Sequence, residues 1–323
     1  MNVKQLRALI AVHEQGSFSE AADLLGTVQS NVSAHVAKLE KELGVVLIER
    51  STGQLTAEGE AVVARGYAAL RELEAAWDDI SSLNAELAGT VRIGVIGTTA
   101  RWLTPALVSA VRDTFPAMRL IISDGTNTSL IQSLESGRID LAVLTMPAAG
   151  KDLATEPLFT ERMTLVVPRS KERDPFYGRR TISIAALKDL PILLPAPGTN
   201  FRNELDRAAR RQGFELMAVA ELDGVRLIAS LAFDGHGLAI LPSSAVPPHL
   251  MDRMRLVVIE DIPPRTVGVA WRARTIPSAS SRAVVTIIER IAAKQDLAPE
   301  GISPAQAPHE RPAAQGASGR PKR

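Results

Sequence analysis

The chain has 323 residues, of which 46% are hydrophobic and 23% are charged, so it can form two or three globular domains, each with its own core. It contains no cysteine, which excludes disulfide bonds, thiolate zinc sites and cysteine nucleophiles and fits a reducing cytosol. The formal net charge of +1 neither suggests nor excludes a polyanionic partner. Because no secretory signal or long apolar run occurs, we expect a cytoplasmic protein with no membrane partner.

Three short helices are predicted near the N-terminus. Apolar residues recur at helical spacing over residues 3–13, and the pattern stops at Gly16. Ser17 is a suitable N-cap for a second helix, and Glu20 lies three residues further on, where it completes a capping box. A third helix is predicted over residues 28–43, and two short helices joined by a tight turn form a helix-turn-helix.

The third predicted helix has an apolar side and a polar side. Val32, Val36 and Leu39 are spaced to lie together on the inner side. The outer side carries small or hydrogen-bonding side chains: Ser30, Asn31, Ser33, Ala34, His35 and Lys38. Residues 1–60 hold five Lys and Arg against eight Asp and Glu, a formal charge of −3, so DNA binding here must depend on local geometry rather than on bulk charge.

A small hairpin and a long helix are predicted next. Beyond Gly44, alternating apolar residues around the turn-forming residues 51–53 predict a β-hairpin, or wing. Residues 57–87 then have apolar side chains at spacings of three, four and seven, which predicts a long exposed helix better suited to dimerisation than to a compact domain. The apolar stripe comprises Val62, Ala69, Leu70, Leu73, Trp77, Ile80 and Leu87.

From residue 89 onward, strands alternate with helices. The first set comprises predicted strands at 91–96, 120–123 and 141–144 and helices at 99–114 and 129–136. The second set comprises strands near 165–167, 192–194, 217–220 and 238–241 and helices near 200–212 and 225–234, followed by a strand at 267–271 and a helix at 280–293. This order predicts parallel pairing and two doubly wound α/β lobes.

The segment GSFSEAADLLGTVQSNVSAHVAKLEKELGVVLIER, followed by LTAEGE, closely resembles the signature of the LysR family of bacterial transcriptional regulators. The likeness continues through GTVRIGV, SGRIDLAVL and GHGLAILP and so covers about residues 1–295. The chain departs from the family pattern at Val28, where Ser or Thr is usual as the N-cap of the recognition helix, and at Ala34, where Arg is common. No Lys or Arg lies between Arg50 and Leu55 in the wing, which implies fewer phosphate contacts.

The resemblance implies a mixed fold, in which a winged helix-turn-helix and a long linker helix precede a two-lobed α/β effector domain of the periplasmic-binding-protein-like type. We expect a DNA-binding domain over residues 1–58, a linker or dimerisation helix over 59–89, an effector-binding domain over 90–295 and a disordered tail over 296–323, where Pro, Ala, Gly and charged residues dominate. Such proteins usually act as homodimers or homotetramers that bend double-stranded DNA. The predicted function is transcriptional regulation in response to a small-molecule effector.

The exposed N-terminal part of a helix in the major groove meets the edges of base pairs. A glutamine there can pair with adenine through two hydrogen bonds, other polar groups can donate or accept, and cations suit phosphates. The seven expected DNA contacts are Gln29, Ser30, Asn31, Ser33, His35, Lys38 and Arg50. The alternative is that Gln29 and Ser30 only complete the start of the helix and that His35 and Lys38 are merely solvated.

Ligands of two-lobed α/β receptors lie between the lobes, at the carboxyl ends of strands, where helix N-termini present unpaired N–H groups. Hydroxyl groups and helix N-termini there suit a carboxylate or another small anion. The residues expected at these positions, some of which resemble the inducer pocket of the family, are Thr98, Thr99, Arg101, Thr126, Thr145, Thr199, Asn200 and Phe201. The alternative for Thr98, Thr126 and Thr199 is that each is only a helix N-cap.

No enzyme motif is found. The sequence lacks a phosphate-binding P-loop, a nucleophile elbow and an HExxH zinc motif, and its five histidines are scattered without metal-ligand spacing. We therefore expect no enzyme activity, no cofactor and no metal. A second hypothesis is a two-lobed small-molecule-binding protein whose N-terminal helices only mediate dimerisation, but the polar outer side of the third helix favours the regulator.

Overall fold

The computed structural model describes residues 1–49, 52–83, 87–150, 152–294 and 299–305. Helices come first along the chain, as predicted. They are α1 (Val3–Gln15), α2 (Phe18–Leu24), α3 (Gln29–Leu43) and the long α4 (Ala57–Leu83). The first three helices pack around a small apolar core in which Leu9, Val32 and Leu39 are fully buried.

Side-chain caps start the first two helices. Asn2 Oδ1 accepts from the Gln5 N–H at 3.1 Å, and Gln5 Oε1 accepts from the Asn2 N–H at 2.7 Å, a capping box that the sequence analysis missed. Ser17 Oγ accepts from the Glu20 N–H at 3.1 Å, which confirms the predicted N-cap, but among the described residues no return bond from the Glu20 side chain completes the predicted capping box. Helix α3 differs because its N-cap is Val28, whose side chain cannot accept a hydrogen bond.

The wing is attached to the end of α3. Ile48 and Leu55 form an antiparallel bridge, which agrees with the predicted hairpin. Glu40 Oε1 accepts from the Leu47 N–H at 2.8 Å, so a half-buried carboxylate fixes the start of the hairpin. Arg50, predicted to contact DNA, lies outside the described residues.

Helix α4 begins in close contact with the wing. A Cβ atom at Gly59, in the first turn of α4, would overlap the carbonyl oxygen of Leu47, so only glycine allows the two backbones to approach this closely. One turn beyond Val63, the Tyr67 hydroxyl donates to Glu14 Oε1 at 2.7 Å and so ties α4 to α1. These contacts fix the direction in which α4 leaves the helix-turn-helix.

The rest of the chain folds into two α/β lobes. The strands are β1 (Gly89–Ile96), β2 (Met118–Gly125), β3 (Leu141–Met146), β4 (Leu153–Glu161), β5 (Met163–Pro168), β6 (Thr181–Ile182), β7 (Pro191–Pro195), β8 (Met217–Leu222), β9 (Leu238–Pro242), β10 (Met254–Ile259), β11 (Arg265–Arg272) and β12 (Ile302–Pro304). The helices are α5 (Gly97–Thr114), α6 (Asn127–Glu135), α7 (Asn200–Arg211), α8 (Val225–Phe233) and α9 (Ala279–Ala293), with a 3-10 turn at Ser243–Ala245 after β9.

Each lobe is built on a six-stranded mixed sheet, with the strand orders β12-β4-β11-β3-β1-β2 and β6-β10-β5-β9-β7-β8. Strand β1 lies parallel between β2 and β3, and β7 lies parallel between β8 and β9, which confirms the predicted parallel pairing. The prediction is wrong for β5, which pairs antiparallel with β9 and β10, and for β11, which pairs antiparallel with β3 and β4. The chain leaves the first lobe after β4 and returns to it at β11, so these strands do not belong to βαβ units.

Both lobes have an apolar core. In the first lobe, Leu103 and Leu107 of α5 are fully buried, and Trp102 packs edge-on against Phe159 with ring centroids 5.3 Å apart. In the second lobe, Leu205 of α7 is fully buried. The helical spacing of such residues is what made α5 and α7 predictable from the sequence.

No local sequence pattern predicted β4, β6, β10 or β12. Strand β4 contains Pro157, and the register of β4 with β11 shifts beside it, because proline has no N–H for the ladder. Strand β12 lies within the tail predicted to be disordered, so that prediction is wrong for residues 302–304. It pairs with the edge of β4, placing Ile302 opposite Glu161, and main-chain pairing requires no apolar side chain. Residues 306–323 of the predicted tail lie outside the described residues.

Charged side chains join α4 to the first lobe. Arg92 of β1 lies 3.4 Å from Glu74 Oε2 of α4, and the Arg92 N–H donates to Asp140 Oδ2 at 2.7 Å. Burial, with smaller contributions from the carboxylates of Glu74 and Asp140, raises the pKa of Asp78 to about 6 despite a hydrogen bond from Ser278. Asp78 therefore titrates well above the usual range of an aspartate.

We expect Asp78→Asn to become more stabilising, relative to the wild type, as the pH rises. The folded-state pKa of Asp78 lies above its unfolded value of about 3.9, so its contribution to stability is fully present below about pH 4 and is lost as the pH rises through about 6. The thermal midpoint of the variant minus that of the wild type should increase between about pH 4 and pH 7. Asp113→Asn, at an exposed position of α5, is the control. A pH-independent difference for Asp78→Asn would contradict this expectation.

Candidate nucleic-acid interface and effector cleft

Helix α3 turns its predicted polar side to solvent. The opposite side is closed by Val32, Val36 and Leu39, so the polar side chains cannot pack into the core of the helix-turn-helix. The exposed side chains on this side are Gln29, Ser30, Asn31, Ser33 and Lys38, with His35 half-buried beside them. The arrangement offers a row of neutral hydrogen-bonding groups with a single cation.

The start of α3 lacks a side-chain cap. Val28 at the N-cap is 60% exposed, and the hydroxyl of the preceding Thr27 accepts from Asn31 Nδ2 at 3.0 Å instead of capping the helix. Within the described part of the chain, no side chain caps the first turn of α3. The Asn31 N–H donates to the Val28 carbonyl at 3.0 Å, so the N–H groups of Gln29 and Ser30 are the ones available to an external acceptor such as a phosphate oxygen.

The first turn of α5 lies at the carboxyl end of β1, between the lobes. Helix α5 begins at Gly97 with Ile96 as its N-cap, so Thr98 lies inside the helix and is not a cap. Thr98 Oγ1 accepts from Arg265 Nη2 at 2.8 Å. Thr99 is fully buried, and its hydroxyl has no hydrogen-bond partner among the described residues.

The ends of β2 and β3 are joined through α6. Thr126 caps α6 by accepting from the Ser129 N–H at 3.3 Å. Asn127 Nδ2 donates to the Thr145 carbonyl at 2.8 Å, and Asn127 Oδ1 accepts from the Thr145 N–H at 3.0 Å. Asn127 therefore holds Thr145 in place, a role for which its position after β2 was the only signal.

In the second lobe the predicted residues lie at the start of α7. Thr199 Oγ1 accepts from the Arg202 N–H at 3.2 Å and donates to the Ala196 carbonyl at 2.9 Å. Asn200 is exposed, and Phe201 is half-buried against the core of this lobe. Thr199, like Thr126, caps a helix, as the alternative predicted, and any contact that either makes with a ligand stays a prediction.

A buried ion pair lies where the chain crosses between the lobes. Glu161 is fully buried, and its Oε1 accepts from Arg265 Nε at 2.6 Å. Its Oε2 accepts from the Ser244 N–H of the second lobe at 3.3 Å. Since 104 residues separate Glu161 from Arg265 in sequence, no local pattern could have paired them.

Two further arginines connect the lobes. Arg101 Nη1 of α5 donates to the Ala245 carbonyl of the second lobe at 3.0 Å. Arg226 Nη1 of α8 lies 2.6 Å from Asp124 Oδ2 at the end of β2. Together with Arg265, they bring positive charge to the region between the lobes. Of the three, only Arg101 was predicted from the sequence.

Two family models match this chain. Residues 3–60 match the bacterial regulatory helix-turn-helix protein, lysR family, and residues 84–293 match the LysR substrate binding domain. The chain belongs to the LysR family. It is a DNA-binding transcriptional regulator of LysR type, and the first match disfavours the alternative in which the N-terminal helices only mediate dimerisation.

Relatives of this LysR-family regulator include proteins with names that refer to hydrogen peroxide. It is 33% identical over 294 residues to a probable hydrogen peroxide-inducible genes activator from Mycobacterium leprae, covering 88% of this chain and 92% of the relative. A full-length OxyR variant from Pseudomonas aeruginosa is 25% identical with a TM-score of 0.71, covering 95% and 99% of the two chains. A hydrogen peroxide-bound OxyR mutant from Corynebacterium glutamicum is 26% identical with a TM-score of 0.56, covering 92% and 93%.

These comparisons support a regulator rather than an enzyme, since the relatives are named as gene activators. No helix in the described part of this LysR-family chain is long and apolar enough to cross a membrane. Across the same residues, no group of three or more His, Asp or Glu side chains could hold a metal ion.

Proposed function

We propose that this LysR-family regulator reads double-stranded DNA with the outer side of α3 and responds to a small organic anion bound between its two lobes. The observation that supports the effector site is the start of α5, which lies at the carboxyl end of β1 and contacts the second lobe through Arg101, just after the first turn. A helix N-terminus favours negative charge, and the Thr99 hydroxyl has no partner within the described residues.

The charges between the lobes favour a ligand with a small negative charge. Arg265 and Arg226 are paired with Glu161 and Asp124, whereas Arg101 donates to a backbone carbonyl. The region therefore has a small positive excess rather than a strongly basic surface. We infer that a monocarboxylate fits better than a polyphosphate.

Reversible ligand binding also fits the composition better than peroxide chemistry at a thiol. Sensing through thiol oxidation needs a cysteine that passes through a sulfenic acid or a disulfide. The chain contains no cysteine. Whatever signal it receives, this regulator does not receive it through a thiol, although its relatives carry names that refer to peroxide.

The effector site is tested by Thr99→Val, which removes one hydroxyl and keeps the shape of the side chain. Carboxylates such as acetate, benzoate and succinate are first screened for those that raise the thermal midpoint of the wild-type protein. We expect Thr99→Val to weaken binding of such a carboxylate by about 10- to 100-fold, because a hydrogen bond to a charged group contributes about 1.5–3 kcal/mol. Isothermal titration measures the change.

Thr104→Val is the matched control for this experiment. Thr104 lies on the same helix and also has a buried hydroxyl without a partner among the described residues, but it is more than one turn away from the start of α5. Its substitution should leave the affinity unchanged. The effector site would be rejected if no carboxylate raised the midpoint, or if both substitutions changed the affinity equally.

We also propose that the regulator is a homodimer or a homotetramer. Leu73, Trp77 and Ile80 are exposed along α4, and Trp77 is 73% exposed, which is a large apolar surface for an isolated chain. The edge strands β2 and β8 likewise expose Ile121 and Val219. A second copy of the chain would bury both surfaces.

Trp77→Ser combined with Ile80→Ser is expected to shift the protein toward monomer, because each side chain contributes about 1.5–3 kcal/mol when buried. Sedimentation velocity at micromolar concentrations measures the shift. Tyr177→Ser, at an exposed position of the second lobe, is the control and should sediment as the wild type does. A wild type that is monomeric throughout, or a double variant that associates equally well, would refute the proposed α4 contact.

A further inference from the structure

The chain crosses between the lobes twice, at Arg162 between β4 and β5 and again at residues 260–264 between β10 and β11. At the first crossover both backbone groups of Arg162 are bonded. Its N–H donates to the Gly301 carbonyl at 3.1 Å, and its carbonyl accepts from the Ser243 N–H of the second lobe at 2.9 Å. One crossover residue is therefore bonded to the C-terminal segment on one side and to the second lobe on the other.

The C-terminal segment, residues 299–305, forms a strap along the edge of the first lobe. Its strand β12 pairs with β4, and the Ala305 N–H donates to the Leu158 carbonyl at 3.1 Å. Thr160 Oγ1 donates to the Ser303 carbonyl at 3.4 Å. The strap is therefore attached to β4 up to the residue at which β4 ends and the crossover begins.

The strap also touches the second lobe. Gly301 has a φ of +85°, and a Cβ atom there would lie 2.9 Å from both Cβ and Oγ of Ser243. Ser243 is almost fully buried in the turn after β9. Because a side chain at Gly301 would be strained by its φ and would press on Ser243, glycine is what lets the strap lie this close to the second lobe.

The strap meets the crossover beside the buried Glu161–Arg265 ion pair. Ile302 lies opposite Glu161 in the ladder, and Glu161 holds Arg265 at the return crossover. The match to the LysR substrate binding domain ends at residue 293, so the strap lies outside the part of the chain that the family model describes.

We propose that the strap restrains the angle between the two lobes and so sets how readily the cleft between them closes on an effector. A rotation of the lobes about Arg162 must either move the strap with it or break the Arg162–Gly301 hydrogen bond and the Gly301–Ser243 contact. The regulatory consequence rests on the proposed effector site. The restraint itself is a property of the ligand-free protein and is tested without any effector.

The experiment measures the distance between the lobes in full-length protein and in two truncated chains. Because the chain has no cysteine, Asp113→Cys on α5 and Arg210→Cys on α7 provide unique positions for two spin labels. One truncated chain ends at residue 298 and lacks the strap. The other ends at residue 305 and keeps it, which makes it the matched control for loss of the C-terminus.

The chain ending at residue 298 should give a broader distance distribution with a mean shifted by a few ångströms, whereas the chain ending at residue 305 should match the full-length protein. A label pair within the first lobe, Asp113→Cys with Gln132→Cys, should give the same distribution in all three. Gly301→Val, which displaces the strap without shortening the chain, should reproduce the broadening and keeps the test valid if the shorter chain does not fold. Identical distributions between the lobes in Gly301→Val and the full-length protein would overturn the proposal, whatever the outcome for the effector site.

Discussion

Gln29→Ala is expected to lower the affinity of the full-length protein for the DNA upstream of its own gene by about 10- to 100-fold, since a bidentate contact with adenine contributes about 1–3 kcal/mol of discrimination. Gln29 is exposed in the first turn of α3, which is where a recognition helix meets base edges. The affinity of the Gln29→Ala variant for an unrelated duplex should barely change. Fluorescence anisotropy with both duplexes at one fixed salt concentration measures the two affinities.

Substitutions of two lysines of α3, Lys38 and Lys41, distinguish contacts with bases from contacts with phosphates. Lys38→Ala should weaken binding to every duplex alike and reduce the salt slope of binding by about one. Lys41→Ala makes the same change of charge in the last turn of α3 and should have little effect. If Gln29→Ala weakened the specific and the unrelated duplex equally, α3 would not read bases through this side chain.

Glu161→Gln should lower the free energy of unfolding of the effector domain by about 3–5 kcal/mol, because it leaves the guanidinium of Arg265 buried without a counter-charge. The Glu161 side chain is fully buried and that of Arg265 is 12% exposed, so little water can compensate. The amide of glutamine would also present N–H groups, where the carboxylate now accepts from Arg265 and Ser244. Urea unfolding followed by circular dichroism measures the loss.

A double variant and a surface pair serve as controls for this substitution. Glu161→Leu combined with Arg265→Met removes both charges and should recover most of the loss, since apolar replacements of a buried pair are often neutral. Arg112→Met breaks an exposed pair with Asp113 and should cost less than about 1 kcal/mol. A Glu161→Gln variant as mild as Arg112→Met would show that water reaches the crossover.

Much of the fold follows from local patterns in the sequence. Leu103 and Leu107 recur at helical spacing and are fully buried in α5, and Gly44 ends α3 as predicted. Strand β4 escaped notice because Pro157 interrupts it and its partner β11 lies far along the chain. Strand β12 was not predicted because its composition is typical of a disordered tail. It forms a strand because it pairs with the edge of β4.

The two candidate sites were predictable to different degrees. The outer side of α3 could be listed from helical periodicity and the family signature, and its members are exposed as expected except for His35, which is half-buried. The cleft could be located only by the rule that strand ends and helix starts converge. Glu161, Arg226 and Asp124 were missed because their partners are distant in sequence. Glu161 pairs with Arg265 between β4 and β11, and Asp124 pairs with Arg226 across the two lobes, so neither pair leaves a local pattern.

The missing side chain at Gly59 has a mechanical consequence for the proposed dimer. Because the backbone of α4 packs directly on Leu47 of the wing, we expect α4 and the helix-turn-helix domain to move as one rigid body. In a dimer formed through α4, the distance between the two helix-turn-helix domains is set by the α4 contact rather than by a flexible linker. Their half-sites must then lie on one face of the duplex, about 34–36 Å apart or a multiple of that. Even Gly59→Ala would therefore change the direction of α4 and, with it, the half-site spacing that the dimer can bind.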